Sequence, residues 1–205
     1  MRTKPLYADW VKLDENGTRD ASVGRISVLA PPGSYNLVLE AAGVTSNQTL
    51  KVVKDPDSEG NEADIAEQTE LVQNIQEDMN VASSLVNQIE KIRSQLHDIK
   101  SITADQEAAD EIADAVKSLD EKRIAVESKL YQMKLTGTGQ DRVRWPAMLV
   151  RRLSYLAGNV AVADFQPNDQ QREVHQILKD RLAKVEDQFE KIISDDLPAF
   201  DGILR

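Results

Sequence analysis

Between Asn61 and Ile99 apolar side chains return every third or fourth residue. Ile65, Val72, Ile75, Met79, Ala82, Val86, Ile89 and Leu96 form the series, and Leu71, Leu85, Ile92 and Ile99 widen it. A helix places such a series on one face, because its 3.6-residue turn stacks positions i, i+3, i+4 and i+7. The stretch predicts one helix of about 35 to 38 residues, on the order of 55 Å long. So long a rod buries its stripe only against other rods, so the chain must fold around helix packing. Asn61 is suited to start it, since its side-chain oxygen can accept from unpaired N–H groups of the first turn, and Asp64 stands three residues on.

Three more helices follow from the same spacing. Thr103 with Gln106 forms a capping-box pattern ahead of Ile112, Val116, Leu119, Val126, Leu130 and Met133, with a stop at Thr136-Gly137. A third helix is expected after Trp145, with Pro146 in its first turn, carrying Leu149, Leu153, Leu156 and Val160. Asn168 and Gln171 repeat the capping pattern before Val174, Leu178, Leu182, Val185, Phe189 and Ile192, up to Leu197-Pro198. Short links make antiparallel neighbours. The expected fold is mainly α: an antiparallel up-and-down helical bundle of two long and two shorter helices, crossing at about 20°. Heptad-like spacing also admits a self-associating coiled coil, but the first stripe is wider than a two-per-seven seam and favours a bundle within one chain.

The segment before Asn61 has a different period. "RISVLA", "SYNLVLEA" and "QTLKVV" alternate or are β-branched, with Pro31-Pro32-Gly33 and Ala42-Gly43 between them. Two or three antiparallel strands are expected. An isolated hairpin is marginal in water, so these strands lean on the rest of the chain or continue a β-rich module lying before residue 1. Residues 1–23, with Trp10, Leu13 and the turn-forming "DENG", read as loop with one short strand. Residues 1–56 are thus a hairpin-containing remnant of a small β-rich module, and residues 57–205 the helical bundle.

Composition agrees with helices: 4% aromatic residues, 9 glycines and 7 prolines in 205 residues. A formal charge of −10 disfavours nucleic acid or an anionic membrane as partner. The charge is uneven. Residues 55–115 hold 16 acidic against 3 basic side chains, whereas residues 117–152 hold 9 basic against 4 acidic. Mutual support inside the bundle is the plainer reading of that contrast. With no cysteine, disulfides, thiolate nucleophiles and cysteine-based zinc sites are excluded, and the compartment stays open. The opening "MRTKPLYADW" has no apolar core of a signal peptide and no run has membrane-spanning length, so neither an export signal within the chain nor membrane insertion is expected.

Few residues point to chemistry. Gly137-Thr138-Gly139 follows a helix, not a strand, and no Gly-Lys-Ser/Thr accompanies it, so it reads as a helix stop and not a phosphate loop. Arg142, Arg144, Arg151 and Arg152 surround Trp145, which reads as a staple burying the start of the third helix. Guanidinium forks suit carboxylates, which the first two helices supply, and the alternative is a site for an anion or a partner. Asp55, Asp57, Glu59 and Gly60 imitate half of a calcium loop, but position twelve is Ala66 and position eight Glu62, so no metal is expected. His97 and His175 lie near apolar stripes without Ser-His-Asp or His-x-x-x-His spacing, and read as solvated or boundary residues. No catalytic constellation and no cofactor are expected.

The segments "ISVLAPPGSYNLVLEAAG", "QTLKVVKDPDSEGNEADIAEQTELV", "LTGTGQDRVRWPAMLVRRLSYLAGNVAVADFQPNDQQREVH" and "DLPAF" resemble the C-terminal region of large bacterial exported proteins. These are sortilin-like, or glycosyl-hydrolase-like and sialidase-like, β-propeller proteins with Asp-box repeats. The resemblance runs from about Arg25 onward, with Pro32, Gly33 and Tyr35 matching a Pro-Gly-x-Tyr hairpin. It implies a small β-rich module and helical tail behind a propeller, in a periplasmic or secreted parent. It also implies that the partners are the parent's own propeller and β-rich domains, or another protein, or a second copy. No Asp-box repeat is present, so a hydrolase activity has no residues here to carry it.

The expected role is therefore a non-catalytic structural or protein-interaction module. The alternatives are a small-anion site using the Arg142 to Arg152 surface and a self-associating coiled-coil spacer.

Overall fold

The computed structural model describes residues 25–135 and 140–205, apart from the side chains at 141 and 142. The readings of residues 1–23 as loop with a short strand, and of Gly137-Thr138-Gly139 as a helix stop, lie outside the described residues. The chain is mainly helical with a two-stranded sheet. Strands β1 (Gly33–Ala41) and β2 (Val44–Val52) precede helices α1 (Glu62–Ile102), α2 (Ala109–Leu130), α3 (Asp141–Arg144), α4 (Leu149–Val160) and α5 (Asp169–Lys191). A π-turn, Ile192–Asp196, joins α5 to α6 (Leu197–Ile203).

The two strands pair antiparallel from Gly33↔Val52 to Ala41↔Val44. Their link is the two-residue turn Ala42-Gly43, with φ of 52° and 79°. Two positive φ values give a hairpin turn whose twist matches that of the strands. The third expected strand, "RISVLA", is absent as a strand. Ile26 from that segment instead enters the helical core, and its carbonyl accepts from Gln76 Nε2 at 3.0 Å.

Helix α1 has 41 residues, about 60 Å, longer than the stripe alone implied. The Asn61 side chain accepts from Ala63 and Asp64 N–H at 2.8 and 3.0 Å, and Asp64 accepts from Asn61 N–H at 2.9 Å. Asn168 and Gln171 close the same reciprocal box on α5, at 2.8 and 3.0 Å. The pattern at Thr103 works differently. Its hydroxyl donates to Ile99 O at 2.8 Å, closing the end of α1, while α2 starts behind Ala108 with no side-chain cap and with Asp110 and Glu111 in its first turn. Negative charge there complements the helix dipole in place of a cap.

Helix α2 ends at Leu130, short of Thr136-Gly137. Tyr131 turns extended and buries its ring, while Met133 and Leu135 still pack against the core from the following loop. Pro146 lies before α4 and not in its first turn, because Met148 is the residue that precedes Leu149. The last helix does not end at Leu197-Pro198. Proline removes one N–H and crowds the carbonyl four residues back, and the wider π-turn, in which Leu197 N–H donates to Ile192 O, carries the helix through to Ile203. Phe200 is thereby buried.

Side-chain contacts fix the arrangement. Near the start of α1, Gln68 Nε2 donates to Val160 O at 2.8 Å and to Ala163 O, placing the end of α4 there. Toward the other end of α1, Glu90 meets Arg123 of α2. Helices α2 and α4 therefore follow one another along α1, both antiparallel to it. Helix α5 returns parallel to α1: Arg172 bonds Glu67 at 2.6 Å, His175 bonds Asp78 at 2.8 Å, and Lys122 of α2 bonds Asp196 at 2.5 Å. The up-and-down order stands, with α2 and α4 sharing one of three parallel lines of helix. Ile75, Met79, Val86 and Ile89 of α1 are fully buried between them, with Leu130, Val150, Leu153 and Leu182. Each contributes about 1.5–3 kcal/mol relative to an exposed position. Gly60 holds the hairpin linker against the α4–α5 loop: a Cβ there would lie 1.4 Å from Asp164 O.

Candidate interaction surfaces

In the register of the hairpin, alternate residues share a face. Tyr35, Leu37, Leu39 and Ala41 pair with Leu50, Gln48, Ser46 and Val44, and the opposite face carries Ser34, Asn36, Glu40, Thr45, Asn47, Thr49 and Lys51 with Val38. The first face is thus mainly apolar, interrupted by Gln48 and Ser46, and the second mainly polar. Tyr35 is anchored at the base, its hydroxyl donating to Pro31 O at 2.6 Å. Further out nothing covers the apolar face among the described residues: Leu37, Leu39, Val44 and Leu50 are 46–68% exposed, and neither strand packs along a helix. A crevice of about 170 Å³ where Val52 and Pro32 meet Ile65 and Val72 joins the ribbon to the bundle.

The second surface lies between α4 and α5. A groove of about 740 Å³ has Leu156, Val174, Ile177 and Leu178 in its floor and Arg151, Arg152 and Arg181 beside it. It continues past Ala147 and Arg152 into a depression of about 360 Å³ flanked by Lys129 and Lys184. Among the described residues no Asp or Glu lines either part.

The five residues singled out from sequence divide accordingly. Arg151 and Arg152 flank the groove. Arg144 is exposed on α3, and Trp145 is half-buried with Lys134 Nζ 4.6 Å from its ring centre, a cation–π contact. Arg142 belongs to α3 by its backbone, and its side chain is outside the described residues. Pairing with carboxylates of the first two helices is not what Arg144, Arg151 and Arg152 do. None of them has an ion pair with a described carboxylate, and Arg152 Nε donates to Ala147 O at 2.8 Å. The reason is position: α4 meets α1 along its apolar side, so the arginines turn toward α5. Arg181 and Lys184 of α5, which sequence spacing left unremarked, complete the cationic border.

The carboxylates of α1 and α2 are engaged elsewhere. Glu90 and Glu127 are fully buried, with Arg123 between them at 4% exposure. Arg123 Nη1 lies 2.8 Å from Glu127 and 3.5 Å from Glu90, its Nε and Nη2 lie 2.8 and 2.7 Å from Asp120, and Arg93 holds Glu90 at 2.8 Å. This network clamps α1 to α2. His175 is buried with Asp78 rather than solvated, while His97 is exposed. On the α5 surface Glu186 has its pKa raised, first by desolvation and then by Asp78 and Asp187. Among the described residues no group of three or more metal-ligating side chains converges, and no hydroxyl bonds to either histidine. No described helix is long and apolar enough to cross a membrane.

No family model, no curated protein and no solved structure matches the chain.

Proposed function

We propose that the chain is a non-catalytic structural or protein-interaction module, the C-terminal appendage of an exported sortilin-like or glycosyl-hydrolase-like propeller protein. The observation that carries this reading is the apolar face of the hairpin, uncovered among the described residues, with Leu37, Leu39, Val44 and Leu50 turned to solvent. A two-stranded ribbon is marginal in water, and a neighbouring β-rich layer over that face stabilises it as sheet packing does. The kinship with propeller proteins rests on the quoted sequence segments, and a periplasmic or secreted location follows from it.

Two measurements test the reading. The reading frame of the parent gene should encode propeller blades before these residues. The separately expressed preceding segment, mixed with this chain, should slow amide exchange across residues 33–52. Leu37→Asp with Leu39→Asp should abolish that slowing without changing helical circular dichroism. Exchange that is unaltered by the preceding segment refutes the proposal.

A second reading, a small-anion site, is favoured by the cations beside the α4–α5 groove. Calorimetry with phosphate, a uronate and sialic acid tests it, and Arg152→Glu should remove any binding. A coiled-coil spacer has less to support it, since the α1 stripe is already buried within the chain.

A further inference from the structure

In a chain of net charge −10, the groove between α4 and α5 is bordered, among the described residues, by five cations and by no carboxylate. None of Arg151, Arg152, Arg181 and Lys184 has an ion-pair partner among the described residues. The floor is apolar and open: Val174 and Ile177 are 44% and 43% exposed, and Tyr155 is 75% exposed. A small inorganic anion would use the border and leave this floor wet. A neutral apolar ligand would use the floor and ignore the border.

We propose that this groove docks an amphipathic helix from a partner protein, its apolar stripe on Leu156, Val174 and Ile177 and its acidic residues facing Arg151, Arg152 and Arg181. The dimensions fit. Helix α4 has 12 residues, about 18 Å, and the adjoining depression extends the groove beyond its start, so three to four turns of a partner find room. Docking of this kind is read as anchors at i, i+3, i+4 and i+7. Arginine forks add orientation by pairing with carboxylates on the helix flanks, and the shared sign of the border speeds association at low salt. The inference deepens the reading of the chain as an interaction module, but on a different face from the hairpin.

The test uses the full chain and a fluorescein-labelled synthetic peptide of about 14 residues, long enough for four turns. It has leucines at i, i+3, i+4 and i+7 and Asp or Glu on the flanks. A scrambled peptide of equal composition, decanoate and inorganic phosphate are the controls. Fluorescence anisotropy should show saturable one-to-one binding that weakens between about 50 and about 300 mM salt. Binding should fall at least about tenfold in Arg152→Glu/Arg181→Glu, and by a similar factor in Ile177→Asp. Tyr155→Ala, at an exposed position, should weaken it without touching the fold. Leu37→Asp/Leu39→Asp should bind the peptide like the parent chain, which separates failure of this site from failure of the hairpin reading.

Absence of peptide binding overturns the proposal. So does equal binding of the scrambled peptide, which would mean the surface reads charge alone. Displacement of the peptide by stoichiometric decanoate or phosphate would assign the groove to a small anion instead. A concentration-dependent dimer that Arg181→Glu dissolves would assign it to a second copy.

Discussion

Replacing Arg123 with methionine removes the guanidinium that Glu90, Asp120 and Glu127 share while keeping most of the apolar volume of the side chain. Arg123 lies 2.8 Å from Glu127 and 3.5 Å from Glu90, and both of those carboxylates are fully buried. Breaking a buried ion pair at one partner costs about 3–5 kcal/mol, because the remaining charge stays out of water. Arg93 still holds Glu90 at 2.8 Å, so the loss should fall at the lower end, about 3 kcal/mol. Unfolding entropy of about 2.1 cal/mol/K per residue gives roughly 0.4 kcal/mol/K for a chain of this size, hence a fall in Tm of about 7–8 °C. Urea and thermal melts followed by circular dichroism at 222 nm measure it. The double variant Arg123→Met/Glu127→Met should recover at least half the loss, since an apolar pair of similar volume has no charge to strand. A Tm within about 2 °C of the parent, or a double variant no better than the single, would refute the clamp.

Gly60→Ala would drive a Cβ to 1.4 Å from Asp164 O, and since the obstacle is backbone the linker must lift off the α4–α5 loop. A loss of about 1–3 kcal/mol in urea melts is expected, as for other overpacked sites. Asn168→Ala opens the reciprocal cap of α5 and should cost about 1 kcal/mol, with faster amide exchange confined to its first turn. Glu186 has its carboxyl pKa raised above 4.5, so the folded state prefers the protonated form and the ionised carboxylate opposes folding as pH rises. Glu186→Gln should therefore stabilise the chain at pH 7, with the gain vanishing as pH falls below about 4. An unchanged difference across that range would contradict the assignment.

Periodicity made the helices legible, because burial of one face repeats in sequence wherever a rod packs. Asn61 and Asn168 were legible as caps for the same reason: the donors they satisfy lie two and three residues away. Thr103 departs from the capping pattern because its hydroxyl has two local options, and the preceding carbonyl of Ile99 wins over the following amides. Met133 kept its apolar environment although the helix had ended, so burial survived where the element boundary did not. The core position of Ile26 and the Arg123 clamp depend on pairings across 33 to 50 positions, which local spacing does not encode. At the candidate site, Arg151 and Arg152 stood out by clustering. Arg181 and Lys184 joined them only once α5 was laid beside α4.

The end-to-end placement of α2 and α4 leaves a seam at about the middle of the bundle, between Leu130 and Leu149, where one line of helix is interrupted. Among the described elements only α1 and α5 cross it unbroken, as two struts spanning two storeys. The half nearest the hairpin is built from the start of α1, α4 and the start of α5. The far half is built from the rest of α1, α2 and the helix that ends at Ile203. Native-state hydrogen exchange should therefore resolve two protection classes that divide at this seam, and a load pulled along α1 should part the molecule there before either half unravels.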